Sequence, residues 1–268
     1  MNQGFLHDST VTQADAIEAE AFIDLQRVSP QRLVDEQQFG CIRLRGGCAI
    51  SLPNAPAIGL NRILGLTEVD DLDKAYAWMS GRAGNRFLQS NASAASNDVR
   101  EWIRSKGLVE HGRGWAKLTL TASTTHLLTA QQIRTRRARI EEAETFGLLM
   151  CQSFGFPETL IPLWASIVAK ERWSCFLALD ADKQIGTAAM YASGTHAWLG
   201  GGTTVPAFRN RGVQKALIRA RIEDGIARGV STFVVETEVP SSEKLNISYN
   251  NLRKMGFEHL YDRSNFLL

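Results

Sequence analysis

Apolar residues along this chain switch between a period near two and a period near 3.6, the signatures of half-buried strands and of amphipathic helices. The helical stretch DAIEAEAFIDLQRV gives way to FGCIRLRGGCAISLP, two apolar runs around Gly46 and Gly47 that predict a hairpin. IGLNRILGL continues as a short apolar run. DDLDKAYAWMSGRAG predicts a helix with Asp70 or Asp71 as N-cap and Gly84 just past its end. NRFLQS reads as a strand, SNDVREWIRSKGL as a helix stopped by Gly107, and GRGWAKLTL as a closing strand.

Between Thr121 and Ala130 the text becomes small and polar, TASTTHLLTA, and a domain boundary is expected there, dividing the chain into 1–125 and 131–268. After it, QQIRTRRARI predicts a strand, and EEAETFGLLMCQSF and PETLIPLWASIVAK predict helices, the second with Pro157 near its start. WSCFLALD and KQIGTAAMYAS form a predicted hairpin about Asp180 to Lys183, and HAWLGGGTTV extends the sheet. A long helix follows VPAFRNRG, then the strand STFVVETEV, the helix EKLNISYNNLRKMGF and the strand RSNFLL.

The two halves end alike. FLQS…EWIRSKGLVEHGRGWAKL parallels FVVE…NNLRKMGFEHLYDRSNFLL as strand, loop, helix with an apolar-flanked glycine, and strand. A repeat of roughly 120–140 residues is too long for a solenoid and points to duplication of a whole domain.

Composition narrows the classes. With 30 basic and 28 acidic residues the net charge is +2, too small to predict nucleic-acid binding, so any positive field must be local. Cys41, Cys48, Cys151 and Cys175 form no CxxC pair and have no histidine at zinc spacing, so buried reduced thiols are expected and no metal site, with a Cys41–Cys48 disulfide as the alternative. The N-terminus has acids and no apolar core of a signal peptide, and no stretch is long enough to span a membrane. A soluble, cytoplasmic protein is expected, without nucleic-acid or membrane partners.

The one concentrated piece of chemistry is VPAFRNRGVQKAL, residues 205–217. Pro206 ends the strand, Gly212 permits a tight turn, and the helix that starts at Val213 offers unpaired N–H groups and the positive end of its dipole. Arg209, Arg211 and Lys215 add charge-assisted donors. Val213, Leu217 and Ala220, with Ile218, Ile222 and Ile226, make a wide buried face on a helix that Gly229 ends. The features suit a phosphate cradle, or simply the basic start of an amphipathic helix.

Arg209-Asn210-Arg211-Gly212-Val213-Gln214 after a strand resembles the acyl-CoA pyrophosphate loop of the GNAT superfamily of N-acyltransferases, Gln/Arg-x-x-Gly-x-Gly/Ala, with Gln214 in place of the small last residue. NISYNNLRKMGF resembles that family's second cofactor motif, through Asn246 and the Gly256-Phe257 end. The resemblance covers about residues 133–268. It implies an α/β (α+β) GNAT fold, a mostly antiparallel mixed sheet flanked by helices, here as two tandem GNAT-like units. It further implies acetyl-CoA as cosubstrate, bound by Thr204, Val205, Arg209, Asn210, Arg211, Gly212, Val213, Gln214, Lys215 and Asn246. An amine, on a small molecule or a peptide or protein, then attacks the thioester directly in a ternary complex. The first half carries no equivalent loop, since Arg62 and Gly65 are not arranged to cradle a diphosphate, and it is expected to be structural or to shape the acceptor site.

Glu236 and Glu238 share one face of their strand and are candidate bases, with solvated surface acids as the alternative. The family's usual tyrosine acid falls on Leu252; Tyr249, almost one turn earlier, is the candidate acid, with a packing tyrosine as the alternative. Gly200 to Gly202 would permit the strand distortion that admits the pantetheine arm. A catalytically silent acyl-CoA-binding or regulatory module is the second reading, and either a monomer or a homodimer fits.

Overall fold

Where the apolar period is two, strands form, and they join in one sheet. The computed structural model describes residues 2–91, 95–124, 133–241 and 246–268. In chain order the elements are α1 (Asn2–Val28), α2 (Gln31–Glu36), β1 (Gly40–Leu44), β2 (Gly47–Ser51), β3 (Asn61–Leu64), α3 (Val69–Ser80), β4 (Phe87–Asn91), α4 (Asn97–Ser105), β5 (Val109–Glu110) and β6 (Trp115–Thr121). Then follow β7 (Arg134–Arg137), α5 (Ala143–Phe154), α6 (Ile161–Ala165), β8 (Trp173–Asp180), β9 (Lys183–Ser193), β10 (His196–Gly200), α7 (Val213–Ala227), β11 (Thr232–Glu238), α8 (Ile247–Lys254) and β12 (Glu258–Leu267).

The strand order is β1-β2-β3-β4-β12-β6-β11-β10-β9-β8-β7, with β5 added on β12. Most pairs are antiparallel. The exceptions, β3 with β4 and β10 with β11, are parallel, and each is bridged by a helix, α3 or α7. The order reads symmetrically about the central β12–β6 pair. Each half's closing strand crosses to a strand of the other half: β12 pairs β4, and β6 pairs β11. The expected boundary at 125/131 falls in residues outside those described, and strands from both sides of it share this sheet.

Alternation sends side chains to two cores. On one face Cys48, Ile50, Leu177, Tyr191, Trp198 and Val234 meet α1, α5 and α6. On the other, Leu118, Leu199, Phe233 and Val235 meet α7 and α8, and Ala49, Ile63 and Leu88 meet α3 and α4. Burial of these apolar surfaces, at roughly 25 cal/mol per Å², is the main force holding the layers together.

Several local expectations shift. The hairpin turn is Arg45-Gly46, with Gly46 at φ +78° and Gly47 already in β2. Helix α3 is capped by Glu68, has Asp70 and Asp71 in its first turn, and ends at Gly81 rather than near Gly84. The helix expected across 157–170 is only a short turn and α6. Residues 201–205 leave β10, while β12 extends well before RSNFLL. Ile226 is 43% exposed, off the buried stripe of α7. All four cysteines are free thiols. Among the described residues no helix is long and apolar enough to cross a membrane.

Candidate functional site

β10 and β11 run paired from His196–Thr232 to Leu199–Val235 and then separate. β11 stays bonded to β6 as far as Glu238. The chain after β10 stays with β9, through Thr203 N–H to Thr187 O at 2.8 Å and Val205 N–H to Ile185 O at 2.9 Å. Glycines make the split sterically feasible: Gly201 sits at φ +58°, and a Cβ on Gly200 would stand 2.1 Å from the Trp198 ring. The gap has about 330 Å³ and passes through the sheet. Trp115, Trp198 and Glu236 line it on the α1 side, Leu217, Arg221 and Leu252 on the α7–α8 side.

A second cavity of about 590 Å³ opens from the first, and Phe154, Thr203, Gln214 and Ser248 line both. Its wall includes Thr204, Arg209, Asn210, Gly212, Val213 and Lys215. Asn210 (φ +63°) and Gly212 (φ +83°) are both left-handed, conformations that asparagine tolerates and glycine adopts freely. The first intrahelical bond of α7 is Ala216 N–H to Gly212 O at 3.0 Å, so the N–H groups of Val213, Gln214 and Lys215 have no acceptor within the helix. Arg209 and Lys215 make no ion pair among the described residues. Orphan N–H groups, a helix dipole and two cations without an ion pair among the described residues meet at one turn, features that suit an anion.

Not every expected residue reaches it. Arg211 lies over the Phe208 ring, 5.2 Å from its centroid, and is not in the cavity wall. Val205 spends its N–H on Ile185 and its C=O on Phe208, whereas alternation turns the Thr204 N–H toward the open edge. Asn246 is the N-cap of α8: its Oδ1 accepts from Tyr249 N–H at 3.0 Å, and its Nδ2 donates to Thr237 Oγ1 and Glu238 O. That side chain ties α8 to β11 and leaves nothing for a ligand. Tyr249 packs toward the core of α7 and α8 and the His259 ring, away from both cavities. Gln214 donates to Ser248 Oγ at 2.9 Å and accepts from Asn251 Nδ2 at 2.7 Å, so it bridges α7 and α8 where the two cavities meet.

Glu236 and Glu238 both reach the gap. Glu238 is at the exposed rim, paired with Arg113. Glu236 joins a buried cluster with Arg62, Lys117, Arg263 and Glu18. Arg62 donates to Glu18 Oε1 at 2.5 Å and Arg263 to Glu18 Oε2 at 2.7 Å. Burial opposes ionisation of Glu18, but Arg263, Arg62 and Lys117 outweigh it and hold the carboxyl well below its usual range. Burial pushes Glu236 above its usual range despite Arg62 and Arg263. No local motif points to this cluster, because its members come from five separate elements. Ser248, although it lies within NISYNNLRKMGF, and Phe154 were not among the expected site residues.

In the first half, Arg62 is buried in that cluster and lies over the Phe22 ring at 4.8 Å. A cavity of about 690 Å³ lies at the start of α3, but its wall carries Asp15, Glu68, Asp70, Asp71 and Asp98 against Arg45 and Lys74. Among the described residues no group of three or more His, Cys, Asp or Glu could hold a metal.

Residues 142–257 match the family model described as Acetyltransferase (GNAT) family. Similar solved structures include a GCN5-related N-acetyltransferase from Sphaerobacter thermophilus (TM-score 0.59, 18% identity, 75% of this chain and 67% of that one). A GCN5-related N-acetyltransferase from Kribbella flavida is similar too (TM-score 0.55, 11% identity, 82% and 80%). A Drosophila protein is similar over 97% of this chain and 96% of its own (TM-score 0.52, 13% identity). At such identities the likeness is one of fold, and it takes in strands of both halves. A comparison with curated proteins gives no match.

Proposed function

We propose that this protein is an acyl-CoA-dependent N-acyltransferase that moves an acetyl or other short acyl group to a primary amine on a metabolite, peptide or protein. The observation that carries the reading is the confluence of the phosphate-type cradle at Arg209–Lys215 with the gap between β10 and β11. In this reading Arg209, Asn210, Gly212, Val213, Gln214 and Lys215 hold the diphosphate and Thr204 meets the pantetheine arm. The thioester lies in the gap. The amine arrives from the α1 side, its nitrogen attacks the thioester carbonyl, and the C–S bond breaks. Glu236, raised by burial, takes the amine proton, while Glu238 sits at the rim. Ser248 accepts a hydrogen bond from Gln214 and keeps its own O–H to hand a proton to the leaving thiolate.

The same reading makes the chain two tandem GNAT-like units, 1–125 and 131–268, that exchange closing strands, which the symmetric sheet order supports. One site works, because the acidic wall at α3 repels a diphosphate. A cytoplasmic setting, and a monomer or homodimer, fit it. One observation favours a silent acyl-CoA-binding module instead: Leu252, at the position where the family resemblance implies a tyrosine hydroxyl, puts only methyl groups into the gap.

Thermal shift with acetyl-CoA and thiol release across an amine panel test the two. A rise in Tm with thiol release supports the enzyme. A rise without release from any amine supports the silent module. No rise at saturating acetyl-CoA sinks both. Arg209→Ala and Gly212→Glu are expected to weaken acetyl-CoA binding with the fold intact.

A further inference from the structure

On helix α7, Arg219 pairs with Glu223, and Asp224 pairs with Arg137 of β7. Arg221 is different. It is 4% exposed, and among the described residues its partners are backbone carbonyls alone. Nε donates to Leu217 O at 3.1 Å, and Nη1 donates to Ala189 O at 3.2 Å and Gly200 O at 3.1 Å. Nη2 has no hydrogen-bond partner among the described residues. It lies beside Gly202, where a Cβ would be 3.7 Å away, and the residue lines the gap between β10 and β11.

A full positive charge out of water is expensive unless an anion meets it, and carbonyl dipoles offset only part of that cost. Burial pulls the Arg221 guanidinium down to about 9, so it is still charged at neutral pH. The carboxylates that line the same gap are already committed, Glu236 to Arg62 and Arg263, Glu238 to Arg113. The gap therefore holds a buried cation whose counter-charge no described residue supplies.

We propose that the gap accepts acyl groups ending in a carboxylate, and that the free Nη2 of Arg221 receives that carboxylate. The proposal rests on the acyl-CoA reading above and deepens it from a generic acyl donor to a dicarboxylic acyl-CoA.

Two observations place the carboxylate on the acyl chain and not on the acceptor. Arg221 projects from the helix whose start forms the phosphate cradle, eight residues and about 12 Å further along. A chain running from that cradle into the gap reaches it. On the α1 side, where an acceptor would arrive, the described lining of the gap offers the carboxylates Glu236 and Glu238 and no cation to receive a second carboxylate. A thioester carbonyl alone would add one more dipole and leave the charge unmatched.

Calorimetric titration of the full chain with CoA, acetyl-CoA, butyryl-CoA and succinyl-CoA tests this. Succinyl-CoA is expected to bind at least about tenfold more tightly than neutral butyryl-CoA, as suits a buried charge-assisted pair. In Arg221→Gln that ratio is expected to fall within about threefold, with affinity for CoA itself unchanged, and Arg221→Lys is expected to restore part of it. Equal binding of succinyl- and butyryl-CoA to the unaltered protein overturns the proposal, and that arm needs no variant to fold. An unchanged ratio in a folded Arg221→Gln also overturns it. So does a Tm rise with free amino acids that Arg221→Gln abolishes, which would give the subsite to the acceptor. If CoA and all its esters fail to bind, the acyl-CoA reading itself is lost, whereas binding of all esters without preference loses only this proposal.

Discussion

Arg62 on β3 donates to Glu236 on β11 at 3.2 Å, an ion pair between residues 174 positions apart. A cation from the first half thus fixes the carboxylate that the second half's candidate site would use as base. Lys117 and Arg263 complete the contact from the two central strands, and Glu18 sits among them fully buried. Removing one member of such a network leaves the opposite charge buried and unmatched, which costs about 3–5 kcal/mol. Arg62→Met is therefore expected to lower the urea-unfolding free energy by that amount and to reduce turnover beyond the loss of folded protein. A variant with normal stability would show that the halves do not depend on this contact.

The pH dependence of stability follows from the same cluster. An unfolded Glu18 titrates near 4.5, and the folded one well below it. Its contribution is fully present above about pH 4.5 and disappears as pH falls through the folded value. Urea midpoints are expected to stay level from neutral pH toward 5 and to drop below 4.5. Glu18→Gln should start lower at neutral pH and fall less steeply. Glu236, shifted up by burial, acts in the opposite sense, so Glu236→Gln should fall more steeply than the unaltered chain.

How much of this was legible in the sequence depends on the distance over which each feature is encoded. The loop Arg209–Lys215 is local: strand, glycine and helix start follow one another, and the cavity wall contains that run except Arg211. Asn246 carried a local signal that pointed elsewhere, since an asparagine just before a helix is first of all an N-cap, and it caps Tyr249 N–H. Arg221 also left a trace, standing one turn after Leu217 and next to Ile222 within the apolar stripe. Nothing local foretold the Glu18–Arg62–Lys117–Glu236–Arg263 cluster, because it depends on β12 and β6 crossing to the opposite half.

Hydroxyl roles divide between neighbours on α8. Ser248 lines both cavities, while Tyr249 lines neither. Ser248→Ala is expected to lower kcat about tenfold or more with little change in the KM for acyl-CoA, as loss of an acid for the leaving group would. Tyr249→Phe is expected to keep kcat within about twofold. The reverse pattern in thiol-release kinetics would return the acid role to Tyr249.

Gln214 lines both cavities and is held there by its bonds to Ser248 and Asn251. Both bonds are partly exposed, so Gln214→Ala should cost only about 1 kcal/mol. With the bridge gone the acyl chain meets less obstruction, and stopped-flow association of acyl-CoA is expected to be faster. A slower association would mean that the bridge positions α8 for binding.

Glycines 200 and 202 flank the split but tolerate change differently. A Cβ on Gly200 would stand 2.1 Å from the Trp198 ring, which is itself held by Phe22 at 5.2 Å and Trp173 at 6.5 Å between ring centroids. The ring has little room to retreat, and overpacking of this kind costs about 1–3 kcal/mol. A Cβ on Gly202 meets only Arg221 Nη2, at an ordinary 3.7 Å. Gly200→Ala is expected to lower Tm by roughly 3–10 °C and to reduce turnover, because Trp198 walls the gap. Gly202→Ala should leave Tm within about 2 °C. Equal Tm values for the two variants would mean that the indole moves freely, and that Trp198 does not set the width of the gap.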